Sequence, residues 1–218
     1  MIEGHFIVIE GIDGAGTTTQ VQRLCERFQG RGLPVLPTRE PTMGPVGSLI
    51  RQALTHRLVV PGMHGGRPPS WKTMALLFAA DRLDHLEAEI LPNLLDGVTV
   101  ISDRYDLSSL AYQSATAPEE GGEVLAWLQA INRYARRPDL TVILDVPPAV
   151  AAQRRRNRVQ ASELYEGDEL QVRLAEAYQS AERLVPGDRV VHVDGSRGIE
   201  EVTDAIAREV WRFRGEKG

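Results

Sequence analysis

A parallel α/β sheet of five strands with helices packed on both faces is the fold class this sequence predicts. Three observations predict it: five short β-branched runs without strict alternation, helical apolar stripes between them, and a glycine-rich turn directly after the first run. The runs are residues 5–10, 34–38, 98–102, 140–145 and 189–194. Strands covered on both faces read in this way, as near-continuous apolar segments. Between them, Val21, Leu24, Cys25 and Phe28 mark one helix. Leu83, Leu86, Ile90 and Leu94 mark a second, and Ile199, Val202, Ile206 and Val210 a third. Alternating strands and helices imply right-handed crossovers. Three segments break the rhythm. Residues 56–71, rich in Gly and Pro, read as a loop, and residues 115–122 as a polar turn. Residues 154–168, dense in charge, read as an exposed lid about one core, so residues 1–218 form one expected domain.

Composition narrows the function classes. The chain has 218 residues, 42% hydrophobic and 25% charged, near the average for soluble globular proteins, which excludes a disordered or collagen-like chain. No stretch approaches the ~18 apolar residues of a membrane helix, and the N-terminus shows no secretory pattern. The single cysteine, Cys25, cannot form an internal disulfide, so a cytoplasmic setting is expected. A net charge of −5 argues against nucleic-acid or membrane partners. Lysine occurs only at Lys72 and Lys217. Genomic base composition is the plainer account of so many surface arginines; a functional one applies where arginines converge with a phosphate-binding motif, because their planar fork matches phosphate oxygens.

The first strand runs into Gly11-Ile12-Asp13-Gly14-Ala15-Gly16-Thr17-Thr18-Thr19. The Walker A spacing G-x-x-x-x-G-K-[ST] fits at Gly11, Gly16 and Thr18, with Thr17 where lysine is usual. Such a loop wraps backbone N–H groups around phosphate oxygens at a helix N-terminus. Thr18 is then the hydroxyl ligand for Mg²⁺. Distinctive residues cluster at the other predicted strand ends, where ligands of open α/β sheets bind. These are Thr38-Arg39-Glu40-Pro41, Asp103-Arg104-Tyr105 and Asp145-Val146-Pro147-Pro148. Each has a plainer reading: Asp103–Arg104 and Arg39–Glu40 as structural ion pairs, Phe78 as core, Ser109 and Tyr112 as helix-start packing. No histidine spacing suggests a metal site. Two phosphate-handling sites on one sheet edge point to phosphoryl transfer between nucleotides.

The segments FIVIEGIDGAG-TTTQ, TREP, LLFAADRLDH, VISDRYDLSSLAYQ and PDLTVILDVPP together resemble the thymidylate kinase family of P-loop nucleoside monophosphate kinases, over nearly the whole chain. The resemblance implies a three-layer P-loop NTPase fold on a five-stranded parallel sheet with a short arginine-rich lid. It implies transfer of the γ-phosphoryl group of ATP to dTMP with Mg²⁺, and a homodimer. Carried over residue by residue, residues 11–19 hold ATP, and Thr18 and Asp103 serve the metal. Arg39, Pro41, Arg82 and Arg104 surround the acceptor monophosphate, and Asp13 sits near the sugar and the transferring group. Phe78 stacks on thymine, Ser109 and Gln113 contact base or sugar, and Tyr112 lies under the deoxyribose. Relatives with a small residue at the position of Ala15 carry catalytic arginines in the lid. Here Arg154, Arg155, Arg156 and Arg158 supply that charge, with Arg154 and Arg158 the catalytic candidates beside Asp13 and Arg104. The lid ending Glu163-Leu164-Tyr165-Glu166 matches the family pattern only loosely. Thr17 leaves two further readings open: a nucleotide-binding protein with impaired catalysis and a regulatory role, and a kinase for another monophosphate. Lys72 is a distant candidate to replace the missing cation.

Overall fold

The computed structural model describes residues 4–62, 65–118, 122–156, 164–165 and 167–216. Five parallel strands form the sheet: β1 (Phe6–Glu10), β2 (Val35–Arg39), β5 (Thr99–Asp103), β6 (Leu140–Asp145) and β7 (Val190–Asp194), in the order β2-β5-β1-β6-β7. The three inner strands are buried almost throughout, as their unbroken apolar sequences require. The outer two, β2 and β7, are partly exposed, because an edge strand has a neighbour on one side only. Successive β1 side chains serve different cores. Ile7 and Ile9 join the larger apolar cluster, and Phe6 and Val8 a smaller one with Val100 and Tyr105.

Helix α1 (Thr17–Gly30) buries the predicted stripe Val21, Leu24, Cys25 and Phe28. It packs against α10 (Ile199–Arg214), which buries Val202, Ile206 and Val210. Ile199 departs from the expected stripe: it is exposed at the first turn of α10, where its carbonyl accepts from Gln20 and Thr203.

The second stripe is not one regular helix. Helix α3 (Trp71–His85) passes into a π-helical turn, Leu86–Ile90, and then α4 (Leu91–Leu95). Leu86, Ile90 and Leu94 are buried in the smaller core, while Leu83 on α3 departs from the expected stripe and is exposed. Their spacing of four residues suits an α-helix equally well, so the change of helical phase carried no sequence signal.

The segment 56–71, expected as a loop, contains two short antiparallel strands, β3 (Val60–Gly62) and β4 (Gly65–Arg67). It follows α2 (Pro45–Leu54) and leads to Ser70, whose side chain caps α3 by accepting from the Thr73 N–H at 3.2 Å. Of the turn expected at 115–122, residues 115–116 belong to α5 (Asp106–Thr116) and 122 to α6 (Gly122–Ile131), and 119–121 lie outside the described residues. Of the expected lid, residues 157–163 and 166 lie outside the described residues. Helix α7 (Pro148–Arg156) precedes them, and α8 (Asp168–Gln179) and the short α9 (Ala181–Leu184) follow. Among the described residues, no helix is long and apolar enough to cross a membrane.

Candidate active site

The carboxyl ends of β1, β2 and β5 open onto a cavity of about 820 Å³. Its floor is the phosphate loop between β1 and α1. Two glycines there have left-handed backbones, Gly14 at φ 91° and Gly16 at φ 100°. Gly14 is needed for a second reason, because a Cβ would stand 2.5 Å from the carbonyl oxygen of Ala151 on α7. No side chain caps α1, so its first N–H groups are available to an anion. Asp13, Gly14, Gly16, Thr17 and Thr18 line the cavity. Ile12 and Ala15 turn into the core instead, and Gly11 and Thr19 are not part of the lining.

On β5, Asp103 meets the phosphate loop. Its Oδ2 accepts from the Thr18 hydroxyl, and its buried Oδ1 has no hydrogen-bond partner. A carboxylate oxygen left unpaired beside a hydroxyl is a donor set of hard oxygens, which fits Mg²⁺. The sequence alternative of an Asp103–Arg104 ion pair is replaced by a different pairing: Arg104 Nη2 donates to Asp13 Oδ1 at 2.7 Å. Arg104 itself has a left-handed backbone, φ 73°, a strained state for a residue with a side chain. Its N–H donates to Ile9 O at 3.0 Å, and the next N–H, of Tyr105, donates to Glu10 Oε1 at 2.8 Å.

Glu10 is a fully buried hub that sequence reasoning missed. Its carboxylate also accepts from the Ser108 N–H (3.2 Å), the Ser108 hydroxyl (2.6 Å) and the Tyr178 hydroxyl (3.0 Å). Burial pushes its carboxyl up to about 7, against the opposing influence of Arg104 and these donors. A charged residue ending an otherwise apolar strand was the one available signal.

The opposite wall comes from α3, α5 and the end of β2. Arg39, Pro41, Phe78, Arg82, Arg104, Ser109, Tyr112 and Gln113 all line the cavity, as does Asp103. Arg82 is only 1% exposed. It donates to Glu40 Oε2 (2.7 Å), Ser109 Oγ (2.9 Å) and Tyr105 O (3.2 Å), and also to Asn132. Glu40 therefore pairs with Arg82 rather than with its neighbour Arg39. Its other oxygen faces His85 Nδ1 at 3.2 Å, and His85 Nε2 lies 3.0 Å from Glu89. Phe78 is half-buried, its ring shared between the cavity and the edge of the core. The Gln113 side chain is completely buried, and neither end of its amide makes a hydrogen bond of good geometry. Such a group at a cavity wall awaits a polar partner.

The arginines of α7 divide by helical phase. Arg154 turns away from the cavity and donates to the carbonyls of Ala15 (3.2 Å), Gly195 (2.9 Å) and Ser196 (3.3 Å). Arg155 and Arg156 line the cavity instead. Arg155 reaches the carbonyl of Asp13 at 2.6 Å and pairs with Asp168 at 3.3 Å. Arg158 lies outside the described residues. Lys72 is not part of the cavity lining, and its ammonium stands over the Trp71 ring at 5.3 Å. Gln171 on α8, another residue without a sequence signal, binds Asp13 twice.

One cavity thus holds an anion-binding loop on one side and an arginine-bearing wall with an aromatic ring on the other. Comparison with known proteins agrees. The family model for thymidylate kinase matches residues 9–206. A probable thymidylate kinase of Pyrococcus horikoshii is 41% identical over 207 residues, covering 94% of this chain and 96% of its own length. One from Thermococcus kodakarensis is 40% identical over 216 residues, covering 97% and 100%. A thymidylate kinase of Bifidobacterium longum is 38% identical over 213 residues, covering 96% and 98%. With the family model spanning most of its length and such relatives matching nearly end to end, the chain belongs to the thymidylate kinase family.

Proposed function

We infer from family membership and the two-sided cavity how this chain works: it is a phosphotransferase that moves the γ-phosphoryl group of ATP to dTMP, giving dTDP and ADP. The carrying observation is the convergence of the phosphate loop with Arg39, Arg82, Arg104 and Phe78 on one cavity. In this reading the N–H groups at the start of α1 hold the phosphates of ATP. Thr18 and Asp103 hold Mg²⁺, which when bound offsets the charge on the phosphates. Arg39 and Arg104 face the acceptor phosphate. Phe78 carries the thymine ring, Ser109 and Gln113 meet its polar edge or the sugar, and Tyr112 closes the space beneath the deoxyribose. The attacking group is a phosphate oxygen with a second pKa of about 6, so it is already anionic near neutrality and needs no general base. As its bond to the γ-phosphorus forms, the bond to the β-bridging oxygen breaks and the electron pair leaves on ADP. The work of the protein is positioning and electrostatic stabilisation.

Thr17 brings a hydroxyl but no charge to the position where the motif has lysine. We assign the compensating charge to Arg155, supported by its reach to the phosphate loop and its place in the cavity lining. The test is ADP release from ATP and Mg²⁺ with and without dTMP, on wild type and Thr17→Lys together. dTMP-dependent turnover in wild type, changed less than about tenfold by lysine, is expected. A gain of about 10²–10³, the usual worth of one preorganised donor, would mean that the charge had not been replaced. Absence of dTMP-dependent ADP release in wild type would sink the reading, and turnover with dUMP or UMP equal to that with dTMP would remove the thymine assignment.

A single domain, a cytoplasmic setting and a homodimer complete the proposal. Exposed Leu76 and Leu83, seven residues apart on α3, support pairing of two copies through this helix. Sedimentation equilibrium reads the dimer directly, and a monomer at micromolar concentration would remove it.

A further inference from the structure

Gln171 has no part in the mechanism above, yet it is completely buried and every polar atom of its amide is used. Its Oε1 accepts from the Asp13 N–H at 3.1 Å. Its Nε2 donates to Asp13 Oδ2 at 2.9 Å and to the carbonyl of Tyr165 at 2.7 Å. Only this orientation of the amide satisfies all three partners, because a carboxylate and a carbonyl accept and an N–H donates. Asp13 is 158 residues away in sequence, so this is a tertiary link between α8 and the phosphate loop. Tyr165, held at its carbonyl, packs its ring on Tyr112 at 5.5 Å. With Oδ2 occupied by Gln171, Asp13 presents Oδ1 to Arg104.

We propose that Gln171 is a positioning residue for the acceptor side of the reaction: it fixes the rotamer of Asp13, and through it the direction of the Arg104 guanidinium. A neutral amide suits the task. It donates to one carboxylate oxygen and accepts from the same residue's N–H, so the side chain cannot turn without breaking both bonds. The inference rests on the reading of Asp13 and Arg104 as groups facing the acceptor.

The experiment uses the full chain with three substitutions, each checked for folding by circular dichroism. Gln171→Met keeps the approximate volume and removes all three hydrogen bonds. The expected result is a loss of about 10- to 100-fold in kcat/KM for dTMP, the effect of a small misplacement of a reacting group, with KM for ATP changed less than about threefold. Gln171→Glu keeps the shape but sets a second carboxylate against Asp13 Oδ2. Among the described residues, the charged and titratable groups around that pair are Arg104 from the β5–α5 loop and Arg155 from α7, with Asp168 behind it, and Tyr112, Tyr178 and Glu10 nearby. Two facing carboxylates share a proton more readily at low pH. The deficit of the Glu variant relative to wild type should therefore shrink between pH 8.5 and pH 6, while that of the Met variant stays constant. Equal, pH-independent losses for dTMP and ATP in both variants would reduce Gln171 to a packing residue and overturn the proposal. If the Glu variant fails to fold, the split between the two substrates in the Met variant decides alone. Asp13→Asn separates the two readings. Its impairment beside normal Gln171 variants overturns only the role of Gln171, whereas full activity of Asp13→Asn removes the assignment of Asp13 and the inference with it.

Discussion

On the wall assigned to the acceptor, the cation Arg82 is sealed from solvent and already committed to Glu40, Ser109, Asn132 and the Tyr105 carbonyl. Across the cavity, the phosphate loop offers N–H groups with no side-chain cap, and Arg155 rests on the Asp13 carbonyl and an exposed carboxylate. The first wall is organised before any ligand arrives, since rotating Arg82 away would deprive a buried carboxylate of its guanidinium partner. The second, in the proposed reading, holds its N–H groups for a charge that the ligand brings. The difference teaches why two arginines in one cavity should respond differently to removal: one holds the shape of a site, and the other acts on its contents.

Substitution tests that contrast from its strongest point downward. Arg82→Leu takes the guanidinium from the buried Glu40 and leaves only His85 Nδ1, at 3.2 Å, against its carboxylate; it should destabilise the fold by about 3–5 kcal/mol, read by urea denaturation. A loss near zero would mean that the acceptor wall is not held by this pair. Arg155→Ala should instead lower kcat by about 10²–10³ while the denaturation midpoint barely moves, because its partner Asp168 is exposed. Unchanged kcat would send the search for the replacement cation to Arg156.

Glu10 sharpens the comparison through pH, because it lies beneath both walls. Its folded carboxyl titrates near 7 against an ordinary 4.5, so the folded state keeps a proton that the unfolded chain gives up. The resulting stability is fully present below about 4.5 and is lost as pH rises through about 7, up to about 3 kcal/mol in all. Glu10→Gln should flatten that part of the stability profile, measured by denaturation at steps between pH 4.5 and pH 7.5. An unchanged slope would show that other groups govern it.

Much of this was legible in the residues alone. The three inner strands announce themselves because burial on both faces demands apolar β-branched runs, and the phosphate loop because few other spacings of glycine follow a strand into a helix. Residues at strand ends, such as Asp103 and Arg104, are legible for the same reason, since the topology must bring strand ends together. Gln171 and Tyr178 were not. They are single polar residues on a helix, and their meaning lies in contacts with partners 158 and 168 residues away. The division between Arg154 and Arg155 was hidden as well, because three consecutive arginines carry no phase until the axis of α7 is known. The paired strands at 60–62 and 65–67 escaped because glycine and proline there erase the alternation that marks a strand.

The π-helical turn after α3 has a mechanical consequence. Met74 and Ala75, near the start of α3, are set in one apolar cluster, and Leu86, Ile90 and Leu94, in and beyond the turn, in the other. The stretch between them, which carries Phe78, Arg82 and His85, is therefore a beam seated on two separate foundations, with the turn as the joint that lets each end settle in its own bearing. A beam fixed at both ends resists bending far better than a cantilever, and the helix that lines the cavity derives its stiffness from supports outside the lining.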